Sequence, residues 1–122
     1  MITGDDIVRM IESHRYAFTT EAGLQAGIEA VLEGRGMDYE RERRLDEEGR
    51  DRIDFYLPEL RLGIEVKVGG SFAAVTRQLL RYASCEYVDV LMLVTSRSRH
   101  LAVPDRLGGK PVRVVFLAGG LA

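Results

Sequence analysis

The chain is predicted to be α/β, with a central mixed sheet flanked by helices and a core ordered helix, three strands, helix, strand (αβββαβ). Three observations predict it. Stretches in the first third repeat apolar residues at helical spacing, short stretches between 37 and 68 alternate polar with apolar residues, and a further helical stripe is followed by two near-continuous apolar runs.

The elements follow in order. Thr3 can cap a short helix over residues 5–12, with Ile7, Val8 and Ile11 on one face. Thr19 and Thr20 precede a second helix in which Leu24, Ile28, Val31 and Leu32 recur until Gly34 and Gly36 end the pattern, and Glu21 falls in its first turn. Residues 37–45, 52–57 and 61–68 read as strands, separated by the turn-rich DEEG and a short connection at Pro58, and a meander is their simplest arrangement. In the second strand Ile53, Phe55 and Leu57 alternate with Arg52, Asp54 and Tyr56. In the third, Ile64, Val66 and Val68 alternate with Glu65 and Lys67, so each strand is expected to have an apolar and a chemical face. Gly69 and Gly70 break the third strand, Ser71 can cap a helix, and Phe72, Val75, Leu79 and Tyr82 form its apolar stripe. Residues 88–95 and 112–117 read as strands covered on both faces, with the polar SRSRH loop between them.

Composition narrows the function. A chain of 122 residues with 46% apolar content supports one hydrophobic core and is expected to form a single domain. It has no apolar run near the ~20 residues of a membrane span, and MITGDDIVRM lacks the layout of a signal peptide, so a soluble, cytoplasmic protein with no membrane partner is expected. Cys85 is the sole cysteine, which rules out an intramolecular disulfide and a cysteine-based metal cluster within one chain. Any metal must be held mainly by carboxylates. The net charge of −2 hides an asymmetry: residues 1–60 hold 8 Lys or Arg against 15 Asp or Glu, residues 61–122 hold 9 against 4. Phosphate contacts are expected mostly from the second half.

Glu65 and Lys67 lie two apart on a strand, so a carboxylate and an ammonium share one face beside the carbonyl of Val66. Asp54, on the preceding strand, can be brought near Glu65 by pairing. Two carboxylates and water suit a hard divalent ion such as Mg2+, for which Mn2+ is expected to substitute, and Lys67 can orient the attacking water or stabilise a pentacovalent transition state. An isolated Glu-x-Lys usually marks only an exposed ion pair. The adjoining Asp54 strand and the polar helix that follows make this order much more specific.

These residues resemble the PD-(D/E)xK nuclease superfamily across roughly residues 19–95. Asp54 in RIDFYL matches the family aspartate, Glu65-Val66-Lys67 in GIEVKV matches Glu-x-Lys, and Glu21 in TEAGLQ matches the helical glutamate, with Glu29 competing for that place. Gln78 and Tyr82 in QLLRY match the Gln-x-x-x-Tyr element of RecB-type and virus-type nuclease domains, whereas Ile53 stands where the superfamily name has proline. The resemblance implies a restriction-endonuclease-like core and a DNA phosphodiesterase. Asp54, Glu65, Lys67, Glu21 and Gln78 would be catalytic, with metal held by Asp54, Glu65, Glu21 and the Val66 carbonyl.

Gln78 and Tyr82 share a helix face; Tyr82 fits the core as well as a DNA contact, while a buried Gln78 would have to satisfy its amide. Arg97 and Arg99 are expected to grip DNA phosphates from their loop, and His14 and His100 to be surface histidines outside the site. Glu40 and Glu42 can add a carboxylate, though an alternating-charge strand is usually a solvated face. Structure-specific action on junctions, flaps or single strands, in DNA repair or recombination, would fit the junction-resolving relatives. The small core would then act as a homodimer or within a larger assembly. The alternatives are a nuclease fold without catalysis, serving nucleic-acid binding or assembly, and a structural domain whose polar residues form a surface network.

Overall fold

Three capped helices hold the two faces of the sheet. In the computed structural model, which describes residues 1–118, Thr3 caps α1 (Gly4–Glu12), accepting from the Asp6 amide while the Asp6 carboxylate accepts from the Thr3 amide. Thr20 caps α2 (Glu21–Gly34), and Gly36, with φ of 68°, lets the chain turn away beyond it. Ser71 caps α3 (Phe72–Ala83). Among the described residues, no helix is long and apolar enough to cross a membrane.

The strands are β1 (Glu40–Arg44), β2 (Arg52–Leu57), β3 (Leu62–Lys67), β4 (Val90–Thr95), β5 (Arg106–Leu107) and β6 (Lys110–Phe116), with a short 3₁₀ helix (Ser98–Ala102) after β4. They form a six-stranded sheet in the order β1-β2-β3-β4-β6-β5. The first three are antiparallel neighbours, β3, β4 and β6 run parallel, and β5 closes the edge antiparallel to β6, so the sheet is mixed and the fold α/β.

Two apolar layers cover the sheet. Ile7 and Ile11 of α1 and Leu24, Ile28 and Leu32 of α2 pack on Phe55, Leu57, Ile64, Val66, Met92 and Val94. On the other face Val75, Leu79 and Tyr82 of α3 pack on Ile53, Tyr56, Leu91 and Leu93. The strict alternation expected of β2 therefore fails: Ile53 lies on the α3 side, opposite to Phe55 and Leu57. Two local features accompany the switch. No ladder pair joins Asp54 to Glu42 or to Glu65, with Glu42 itself at φ of 49°, and Ile53 fills the space that Gly63 leaves open by having no Cβ.

Other expectations are corrected. The first strand begins at Glu40 instead of residue 37, the third starts after Arg61, a turn residue at φ of 50°, and the fourth starts at Val90. Phe72 is 38% exposed, because it sits at the first position of α3, beyond the sheet-facing stripe. The last strand is not covered on both faces: Val112 and Val115 are buried while Arg113 is exposed, since β6 is followed only by the two-residue β5 at the sheet edge. The last three residues of the SRSRH segment, Ser98–His100, begin the 3₁₀ helix instead of an open loop.

Candidate active site

Period-two geometry on β3 turns Glu65 and Lys67 to the same side, and the Lys67 ammonium lies 3.4 Å from Glu65 Oε2. Next to them the β2–β3 ladder is replaced by side-chain contacts. The Asp54 carboxylate accepts from the Val66 amide at 2.8 Å, while the Asp54 amide donates to Glu65 Oε1 at 3.3 Å. The two carboxylates are thus locked to each other's strands. Asp54 is half-buried and Glu65 only 3% exposed, so the face expected to be chemical is largely withdrawn from solvent by α3.

That burial has an electrostatic consequence. Desolvation raises the pKa of both carboxyls above the ordinary range. For Glu65 the nearby charge of Asp54 adds to the rise while Lys67 and the Asp54 amide oppose it; for Asp54 the Val66 amide opposes the rise and the charge of Glu21 adds to it. Two adjacent acids whose ionisation is costly form a site that a cation would stabilise.

Glu21, in the first turn of α2, accepts from the Val68 amide at 3.4 Å, directly after Lys67. Its competitor Glu29 is held elsewhere, paired with Arg41 at 2.9 Å and accepting from Tyr39 at 2.8 Å. Glu40 pairs with Arg43, and Glu42 is exposed on β1; neither forms a hydrogen bond or ion pair with Asp54 or Glu65 among the described residues.

From the other face, Gln78 donates to the Tyr82 hydroxyl at 2.6 Å. That hydroxyl has one proton and two acceptors in reach, the Arg52 carbonyl at 3.0 Å and Glu65 Oε2 at 3.4 Å. Burial, and then the charge of Glu65, push the Tyr82 pKa upward. At 1% exposure Tyr82 cannot serve as the expected DNA contact: its ring belongs to the α3 side of the core and only its hydroxyl reaches the site.

Arg97 and Arg99 are exposed, and each uses Nε to hold the loop after β3: Arg97 donates to the Val68 carbonyl at 2.6 Å and Arg99 to the Gly70 carbonyl at 2.9 Å. Among the described residues neither guanidinium's Nη atoms have a protein partner. His14 is exposed, as expected, but His100 is fully buried, contrary to its expected place on the surface. Its Nε2 donates to the Gly70 carbonyl at 2.9 Å and its Nδ1 meets Thr95 Oγ1 at 2.6 Å, while that oxygen accepts from the Arg97 amide at 3.0 Å. The imidazole is buried because all its polar atoms are satisfied there. It joins the end of β4 to the turn after Lys67. Nothing in the spacing of SRSRH signals this, since the Gly70 carbonyl comes from a loop 30 residues earlier and only Thr95 is a sequence neighbour.

The donor chemistry of Asp54, Glu65 and the Val66 carbonyl suits a hard cation, being oxygen alone. Among the described residues no three His, Cys, Asp or Glu side chains are grouped to hold a metal, so Glu21, expected as a further ligand, is not gathered with Asp54 and Glu65, and any cation here would rely on two carboxylates, a carbonyl and water. Comparisons with protein-family models, with curated proteins and with solved structures found no match.

Proposed function

We propose that this protein is a metal-dependent nuclease of the PD-(D/E)xK type that hydrolyses DNA phosphodiester bonds, with α2 through β4 as a restriction-endonuclease-like core. The observation that carries the reading is the interlock of Asp54 and Glu65 across β2 and β3, with the Lys67 ammonium 3.4 Å from Glu65. Asp54, Glu65 and the Val66 carbonyl would hold Mg2+, or Mn2+ in its place, and Glu21 would steady the turn beside them. Bound there, the ion would polarise the scissile phosphate and lower the pKa of a coordinated water. Lys67, one-fifth exposed, places its side-chain nitrogen 3.4 Å from Glu65, where it would orient the attacking water and stabilise the developing charge. Gln78 and Tyr82 hold Glu65 from behind. Arg97 and Arg99 offer to phosphates, without reading bases, the Nη groups that have no partner among the described residues. A homodimer or a larger assembly would extend the small footprint of one copy.

The test is cleavage of linear, nicked, flapped and four-way DNA with magnesium or manganese. The parent should cleave at least one of these. Lys67→Met should lose about 10²- to 10³-fold in kcat while melting like the parent. A parental rate in Lys67→Met would remove that residue from the chemistry. The grouping of only two carboxylates favours a second reading, a nuclease fold retained for DNA binding or assembly. Binding without cleavage under every metal condition would select it.

A further inference from the structure

The two faces of the sheet carry opposite charge. Residues 4–34, which form α1, α2 and their connection, hold Asp5, Asp6, Glu12, Glu21, Glu29 and Glu33 against Arg9 and Arg15. On the opposite side α3 packs with the 3₁₀ helix and with the sheet's edge strand β5. Across residues 71–84 and 96–107 this side holds Arg77, Arg81, Arg97, Arg99 and Arg106 against Asp105 alone. Within α3 there is no carboxylate at all. Its outward side chains include Arg77 and Arg81, one turn apart, and Leu80, which is 48% exposed. The inner side of the same helix supplies Gln78 and Tyr82 to the Glu65 network. Its outer side is therefore about one helix diameter, ~10 Å, from the carboxylates.

We propose that the outer face of α3, through Arg77 and Arg81, is the docking surface for the DNA backbone. The proposal rests on the nuclease reading for its substrate and adds where that substrate lies. Charge complementarity selects the occupant: a polyanion is attracted by a face with five guanidiniums against Asp105 and the Arg81-paired Asp51, and is not attracted by one whose six carboxylates outnumber Arg9, Arg15 and the Arg41 and Arg113 that pair with Glu29 and Asp5. Arg77 makes no ion pair or side-chain hydrogen bond among the described residues, and Arg81, paired with Asp51, remains half-exposed. Leu80, between them in sequence, gives the sugar edges an apolar contact. The DNA then runs across α3 toward Arg97 and Arg99, with the acidic α1–α2 layer facing away.

The test is a potassium chloride titration of the full chain binding a labelled linear DNA duplex in calcium, which supports binding without turnover. Compared are the parent, the double variant Arg77→Ala, Arg81→Ala, and a control with the same loss of charge on the acidic layer, Arg9→Ala, Arg15→Ala. The α3 variant should bind about ten-fold more weakly, with the salt slope reduced by about two, while the control matches the parent. Arg77→Glu, which leaves the Arg81–Asp51 pair intact, should weaken binding further if the double variant is poorly folded. Parental affinity in both α3 variants, or an equal loss in the control, would overturn the docking face. Self-association weakened by the α3 changes with DNA binding untouched would overturn it too, assigning the face to a second copy. Cleavage of the same duplex in magnesium keeps the two readings apart. Binding that depends on α3 without cleavage would uphold the docking face and remove hydrolysis; cleavage with no dependence on α3 would do the reverse.

Discussion

Glu65 is the residue around which the site is organised, and its surroundings set opposed demands. A carboxylate 3% exposed is stable as an anion only while donors reach it, and here they are the Lys67 ammonium, the Asp54 amide and the Tyr82 hydroxyl. Tyr82→Phe tests this balance with little change in volume. It leaves Gln78 Nε2 without its acceptor and removes the one proton that the Arg52 carbonyl and Glu65 share, which should cost about 1–3 kcal/mol of stability by urea unfolding. Because Glu65 shares that proton, its loss disfavours the anion, and on the nuclease reading the acid limb of a cleavage pH profile should move to higher pH. An unmoved acid limb would show that Tyr82 is core alone. The juxtaposition of Glu65 and Lys67 was legible in the sequence because strand periodicity places i and i+2 on one side, and the nearness of Asp54 because it lies on the adjoining strand, although its contact with β3 replaces the ladder the alternation implied. The burial of Tyr82, the capture of Glu29 by Arg41 and Tyr39, and the packing of Ile53 over Gly63 were not, because each depends on a partner from elsewhere in the chain.

Among the elements, helices were the most legible, since capping residues and apolar spacing are local signals, and all three caps lie at the expected Thr3, Thr20 and Ser71. Strands were legible in kind but not in extent, because a strand lasts only as long as a neighbour pairs with it: β1 spans only the residues that oppose β2. The segment between β4 and β6 was the least legible, since the 3₁₀ helix and β5 are short and their anchors are distant. His100 is the chief anchor. His100→Ala would leave the Gly70 carbonyl and Thr95 Oγ1 without their shared partner, lowering stability by about 1–3 kcal/mol. Because Gly70 ends the loop that carries Val68 and adjoins Lys67, the same change should quicken amide hydrogen exchange at Val68 through Gly70 while the amides of β2 stay protected. Loss of protection across the whole sheet would make His100 a general core residue instead of the tether of one loop.

For the whole molecule, the raised carboxyls couple folding to protons and, on the proposed reading, to a divalent cation. In a chelator the folded state keeps protons on Asp54 and Glu65 at pH values where the unfolded chain, with ordinary carboxyls near 4, has released them. The folded state therefore binds more protons in that window, and the sign follows: unfolding free energy falls as pH rises from about 4 through the raised range of the pair, and is unaffected by these groups below it. A divalent cation requires both groups ionised, so its binding competes with those protons and strengthens as they leave. Added magnesium should thus raise the melting temperature little in mild acid and most at alkaline pH, with about 2.7 kcal/mol of stabilisation at a hundred-fold excess over Kd. The decisive comparison is the melting temperature across pH with chelator and with magnesium, for the parent and for Asp54→Asn, Glu65→Gln. The double variant has neither the raised acids nor the ligands, so it should lose the decline in chelator and the gain with magnesium together. If it kept the magnesium gain, the ion would bind elsewhere and the site would not be the metal centre; if it kept only the decline in chelator, other groups would govern the fall in stability with rising pH.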